Sequence, residues 1–140
     1  GTGFRSREAM TMEGKKVLVV DDDLDFLTQM ELQLERMGVV VSKAGSRAEA
    51  EEKLAEAAPD LMICDLMMEE MDAGFVLSHN ARKLYPEMPV ILVTAVSSET
   101  GLEFETKTLA ERAWVKADVV LPKPIRMEQL QQEMGRLLGV

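Results

Sequence analysis

The sequence predicts an α/β fold: a doubly wound, five-stranded parallel sheet in the order 2-1-3-4-5, with helices on both faces. Three observations predict it. Short apolar runs alternate along the chain with segments of helical period, the pattern of repeated strand-helix units joined by right-handed crossovers. Runs such as Val17-Leu18-Val19-Val20 and Leu61-Met62-Ile63-Cys64 are apolar at consecutive positions, as suits strands covered on both faces. Four of the five runs end in polar residues: Asp21-Asp22-Asp23, Asp65, Thr94 and Lys123. In such a sheet, ligands bind beyond the C-terminal strand ends, at the switch point between strands one and three.

With 140 residues, 46% hydrophobic and 29% charged, the chain can build one core without disulfides or structural metal and is too apolar for intrinsic disorder. The expected organisation is a flexible arm over residues 1–14, in part of non-native origin with Met12 as a candidate native start, then one domain over 15–140. Cys64, the single cysteine, cannot form an internal disulfide and lies in an apolar run, where a thiol serves as a small hydrophobe. No apolar stretch approaches the ~18 residues that span a bilayer, and no signal-peptide core is visible, so the expected location is the cytoplasm. The net charge of -9 opposes attraction to nucleic acid or an anionic membrane, and neither is expected as a direct partner.

Each element has its own justification. Lys16 to Val20 is the first strand, and Phe26, Leu27, Met30, Leu34 and Met37 then recur at helical spacing, with Gly38 as the expected stop. Val39-Val40-Val41 is the expected second strand. Ser46-Arg47-Ala48-Glu49 has capping-box spacing and opens a helix whose apolar face is Ala50, Leu54 and Ala57, closed by Pro59. After the third strand, Leu61 to Asp65, a Met/Glu-rich loop runs to Gly74, followed by a helix with Leu77, Ala81 and Leu84 inward. Val90 to Val93 leads into Thr94 as the fourth strand, and Leu102, Leu109 and Ala113 indicate a helix between Ala95 and Ala117. Asp118 to Leu121 is the fifth strand, before Pro122-Lys123-Pro124 and a last helix with Met127, Leu130, Met134 and Leu137 inward. His79, two positions from both Leu77 and Ala81, falls on the solvent side and is neither phosphodonor nor ligand.

The polar strand ends point to phosphate chemistry. Asp21, Asp22, Asp23 and Asp65 gathered at one rim repel one another unless a cation joins them. All-oxygen ligation suits a hard ion, and Mg²⁺ takes one or two carboxylates plus waters and phosphate oxygens. A carboxylate forms an acyl phosphate when the phosphoryl charge is neutralised and the leaving group lies in line. Mg²⁺, Lys123 and the Thr94 hydroxyl would supply that neutralisation and orientation. Taken alone, Asp65 is more simply a turn-capping acid; the other strand ends are what favour a phosphate acceptor.

The runs VLVVDDD at 17–23, LMICDLMMEEMDAG at 61–74, VILVTA at 90–95 and VVLPKP at 119–124, in that order, closely resemble the receiver domain of bacterial two-component response regulators, a flavodoxin-like fold. The resemblance extends from Lys16 to Leu138. It implies that Asp65 is the phosphoacceptor, Asp21 and Asp22 the acidic pair, Thr94 the switch hydroxyl and Lys123 the phosphoryl contact. Mg²⁺ would be held directly by Asp22, Asp65 and the main-chain carbonyl of Met67. The implied role is signalling rather than enzymatic turnover, with self-assisted phosphorylation and dephosphorylation. A phosphohistidine on a sensor histidine kinase or histidine phosphotransfer protein would supply Asp65, and Thr94 would be drawn toward the new group. The face formed by the fourth helix, fifth strand and last helix would then shift, and that face is also the candidate homodimer surface. The downstream target is unspecified. The Lys123-Pro124 bond is implied to be cis.

Several residues depart from the family pattern. Glu69 stands where many members have proline, Gly74 falls one residue later than the usual Asp-Gly, and Val120 replaces an aromatic residue three positions before the lysine. The stretch between Thr94 and Lys123, bearing Trp114, is longer than expected. A competing reading is an aspartate-nucleophile phosphatase resembling the haloacid dehalogenases, with Asp21 attacking and Asp23 as acid/base; the chain lacks its further acidic pair and cap segment. A receiver reduced to a binding module is the third reading, and the full Asp/Asp/Asp/Thr/Lys set argues against it.

Overall fold

In the computed structural model, which describes residues 13–65, 73–95, 119–123 and 125–139, each of the five runs expected to be strands overlaps a strand. The described elements are β1 (Lys16–Val20), α1 (Leu24–Glu35), β2 (Val40–Ala44), α2 (Arg47–Glu56), β3 (Leu61–Asp65), α3 (Ala73–Leu84), β4 (Val90–Ala95), β5 (Val119–Lys123) and α4 (Met127–Leu138). The five strands are parallel in the order β2-β1-β3-β4-β5, as predicted.

Strand alternation divides the core into two layers. Leu18, Val20, Met62, Cys64, Val90 and Leu92 pack with Ala50 and Leu54 of α2 and Leu77 and Ala81 of α3. Val17, Val19, Leu61, Ile63, Ile91, Val93 and Leu121 pack with Leu27, Met30 and Leu34 of α1 and Leu130 and Met134 of α4. Burial on both faces is why these strands read as unbroken apolar runs: all five residues of β3 are buried. Each such side chain contributes roughly 1.5–3 kcal/mol by leaving water.

Helix ends follow local chemistry. Asp23 caps α1, its side chain accepting from the Asp25 and Phe26 amides at 3.0 and 3.3 Å. Gly38, at φ +85°, supplies the left-handed turn that returns the chain to β2. Ser46 caps α2 through the Glu49 amide at 3.1 Å, while the Glu49 carboxylate reaches back to the Gly45 amide at 2.7 Å. The reciprocal bond of the capping box thus lands one residue earlier than its usual partner.

Four expectations are corrected. β2 runs Val40–Ala44 rather than Val39–Val41; it is an edge strand with only Ala44 buried, so Ser42 and Lys43 need no apolar replacement. Ala57 is exposed, because α2 ends at Glu56 and Ala57 is already extended. Leu84 is 57% exposed, since the inward stripe of α3 advances by four from Leu77 and Ala81 to Tyr85, whose ring packs on the core and whose hydroxyl donates to the Leu54 carbonyl. β5 extends through Pro122 to Lys123, which makes Lys123 part of the sheet. His79 is exposed, as expected. The arm through residue 12, Met67, Glu69, Trp114 with the helix expected between Ala95 and Ala117, and Pro124 lie outside the described residues. So does the part of the candidate dimer face that this helix would form.

Candidate functional site

Register brings the polar strand ends together. Val20 of β1 pairs with Cys64 of β3, so the residues that follow, Asp21 and Asp65, emerge side by side. On the far side, Asp65 pairs with Val93 and Ala95 with Lys123. Asp21, Asp65 and Lys123 also share one alternation phase, that of Val19, Ile63 and Leu121, and so leave the sheet on the side covered by α1 and α4. Thr94 is buried at the same rim, but it follows Val93 by one residue and falls in the opposite phase, that of Leu92.

Asp21 is fully buried and Asp65 nearly so, at 7% exposure. The Asp21 carboxylate accepts from the Asp23 amide at 2.8 Å and from the Lys123 ammonium at 2.7 Å. The same ammonium lies 3.7 Å from an Asp65 oxygen and 4.3 Å from the centroid of the Phe26 ring. Lys123 therefore bridges two buried acids while standing on an aromatic face. Burial pulls its pKa down, but the hydrogen bond it donates to Asp21 and the charges of Asp65, Asp21 and Asp23 outweigh this and hold it above the ordinary lysine value. It is a fixed cation at neutral pH. Cys64 is buried beneath the site, with its thiol 3.3 Å from the Asp65 carbonyl. Burial first, then the charges of Asp65 and Asp21, drive its pKa far up, so it is an inert neutral thiol at this position.

Asp21, Asp22 and Asp65 each offer a carboxylate oxygen, all within 4.8 Å of one another. Two of the three are buried and Asp22 faces solvent, so the trio opens outward as an all-oxygen donor set fit for a hard divalent ion. Asp23 is occupied otherwise, as the cap of α1 and as the amide that holds Asp21. Of the residues predicted for the site, Asp21, Asp22, Asp65 and Lys123 converge and Thr94 lies at their rim; the Met67 carbonyl is outside the described residues. Phe26 was not foreseen. Its position in the apolar stripe of α1 marks it as core, and nothing in the spacing distinguishes a ring that meets a lysine 97 positions later.

The family model described as "Response regulator receiver domain" matches residues 17–134. Among curated proteins, the chain is 33% identical over 130 residues to the transcriptional regulatory protein ZraR of Escherichia coli, covering 93% of this chain and 28% of that protein. It is 31% identical over 127 residues to the response regulator MprA of Mycobacterium ulcerans, covering 88% and 50% respectively. Among solved structures, a receiver domain protein from Methanospirillum hungatei aligns with a TM-score of 0.73 at 28% identity, over 89% of this chain and 94% of that one. The chain thus spans only a quarter to a half of the length of the curated relatives it matches.

Proposed function

The chain belongs to the response regulator receiver domain family, and from that premise we propose that Asp65 accepts the phosphoryl group, with Lys123 and Thr94 contacting it and Asp21, Asp22, Asp65 and the Met67 carbonyl holding Mg²⁺. The observation that carries this reading is the Lys123 ammonium lying 2.7 Å from Asp21 and 3.7 Å from Asp65, within reach of any group added to the Asp65 carboxylate.

The donor is the phosphohistidine of a sensor histidine kinase or a histidine phosphotransfer protein. An Asp65 oxygen attacks phosphorus, forming a P–O bond as the P–N bond breaks. The bonding pair returns to the imidazole nitrogen, which takes a proton from water. Mg²⁺ held by Asp21, Asp22 and Asp65 would supply positive charge to the phosphoryl oxygens. Lys123 stabilises the same oxygens from the β5 side. The Thr94 hydroxyl comes from the opposite phase of the sheet and is drawn toward the new group, so that phosphorylation shifts the face formed by the helix expected between Ala95 and Ala117, β5 and α4. The domain, residues 15–140, is a signalling element that assists its own phosphorylation and dephosphorylation.

Intact-mass measurement with acetyl phosphate and Mg²⁺ tests the assignment. Wild type should gain one phosphoryl mass and Asp65→Asn none. Equal labelling of both would move the acceptor elsewhere, and a phosphatase reading would then favour Asp21.

A further inference from the structure

We infer that Phe26 is a positioning residue for Lys123: its ring is a neutral anchor that holds the ammonium over the phosphoacceptor. This rests on the reading that Asp65 is phosphorylated. An ammonium has three N–H groups, no acceptor capacity and a flexible four-carbon stem. Its hydrogen bond to Asp21 at 2.7 Å fixes one direction, while Asp65 at 3.7 Å is beyond hydrogen-bond range. The Phe26 ring, with its centroid 4.3 Å away, lies well inside the ~6 Å range of cation–π attraction.

The ring differs from the carboxylates in one respect: it carries no charge that changes during the reaction. Phosphorylation converts Asp65 from a carboxylate to an acyl phosphate, and a cation that engages Asp21 weakens the hydrogen bond that Asp21 accepts from Lys123. Both carboxylate anchors are therefore perturbed when Lys123 must be in place, and the ring is not. Its own position is secure, since Phe26 sits in the first turn of α1, its amide bonded to Asp23, and packs partly buried against the core layer that contains Leu27 and Leu121. Asp23 thus links the two halves of the arrangement, holding Asp21 with its amide and the backbone of Phe26 with its carboxylate.

The test uses Phe26→Leu, which keeps apolar bulk, Phe26→Tyr, which keeps the ring, and 3,4,5-trifluorophenylalanine at position 26, which keeps the shape but removes most of the attraction. The first readout needs neither metal nor phosphate: the Lys123 ε-methylene protons should resonate upfield in wild type and Phe26→Tyr, from the ring current, and move to ordinary values in Phe26→Leu. The second is the rate of phosphorylation by acetyl phosphate, which should fall roughly two- to tenfold in Phe26→Leu, recover in Phe26→Tyr and fall partway with the trifluoro ring. A wild-type rate in Phe26→Leu overturns the inference, as does a trifluoro protein as fast as wild type, which would make Phe26 packing alone. An unshifted Lys123 signal in wild type overturns it too. Labelling of Asp65→Asn would instead overturn the acceptor assignment, leaving the Lys123 proton shifts to report the ring contact independently.

Discussion

Replacing Lys123 with methionine keeps an apolar stem beside Phe26 and removes only the ammonium. Asp21, with no exposed surface, then loses a 2.7 Å hydrogen bond and, among the described residues, keeps the Asp23 amide at 2.8 Å. Removing one partner of a buried ion pair costs about 3–5 kcal/mol because the other charge stays buried. The Lys123 side chain retains 23% exposure, so water already screens part of the pair and the expected loss is ~2–3 kcal/mol. For a domain of this size that is a fall of roughly 8–10 °C in thermal midpoint, to be measured in EDTA. The lysine pKa is raised in the folded state, so its contribution is complete below the unfolded value and is lost only as pH rises through the raised one. The gap between variant and wild type should accordingly stay level across about pH 7 to 9. The same substitution should strengthen Mg²⁺ binding. The ammonium lies within 4 Å of both Asp21 and Asp65, and a unit charge so near carboxylates that would hold a dication opposes its binding by enough to change affinity ~tenfold even at high effective dielectric. Isothermal titration that found Mg²⁺ binding unchanged or weaker in Lys123→Met would refute the idea that lysine and cation compete for the same carboxylates.

Other predictions concern the frame around the site. Cys64 in the native protein should resist a disulfide reagent at pH 8, while unfolded protein reacts with one equivalent. Its raised pKa also contributes stability that is present below the ordinary thiol range and lost as pH rises above it. Wild type should therefore lose stability faster than Cys64→Ala above about pH 9, by at most ~1.4 kcal/mol per pH unit. Gly38→Ala forces a side chain into φ +85°, with its Cβ 3.1 Å from the Glu13 Cα, and should cost ~1–2 kcal/mol in urea unfolding. Tyr85→Phe removes the donor to the Leu54 carbonyl and should cost about 1 kcal/mol; a neutral result would mean that the ring alone ties α3 to α2.

What the sequence made legible was whatever depends on being buried on both faces. β1, β3 and β4 are unbroken apolar runs because water reaches neither side, and their polar C-terminal residues stand out by contrast. β2 was misplaced because an edge strand can carry Ser42 and Lys43 at no cost, erasing the contrast. Leu84 was misread because steps of three and four are both helical, and only the contact with α2 selects Tyr85. The acids and the lysine could be assigned to one rim from topology alone. Which carboxylate the lysine grips could not, since the 2.7 Å bond to Asp21 joins residues 102 positions apart and is set by register and alternation phase. The role of Phe26 was hidden for the same reason.

A site that must hold three carboxylates works against the fold that carries it, and Asp65→Asn should expose the conflict. Among the described side chains, Lys123 at 3.7 Å favours the charge of the Asp65 carboxylate, while Asp21 and Asp22, with oxygens within 4.8 Å, oppose it. At an effective dielectric near 20 the attraction is about 4–5 kcal/mol and each repulsion about 3–4 kcal/mol. Solvent at Asp22, which is exposed, weakens the second repulsion to roughly half of that. Over these three side chains the balance is ~1 kcal/mol in favour of neutralising Asp65, before counting the cost of keeping a carboxylate at 7% exposure away from water. In EDTA, Asp65→Asn should thus unfold at higher urea than wild type, despite breaking an ion pair. Saturating Mg²⁺ should reverse the order, because wild type gains RT ln(1 + [Mg²⁺]/Kd) while the variant, one carboxylate short, gains less. If Asp65→Asn were the less stable protein in EDTA, the ion pair with Lys123 would outweigh the repulsion, and the acidic cluster would be a stabilising feature of the metal-free fold rather than a strain that the cation relieves.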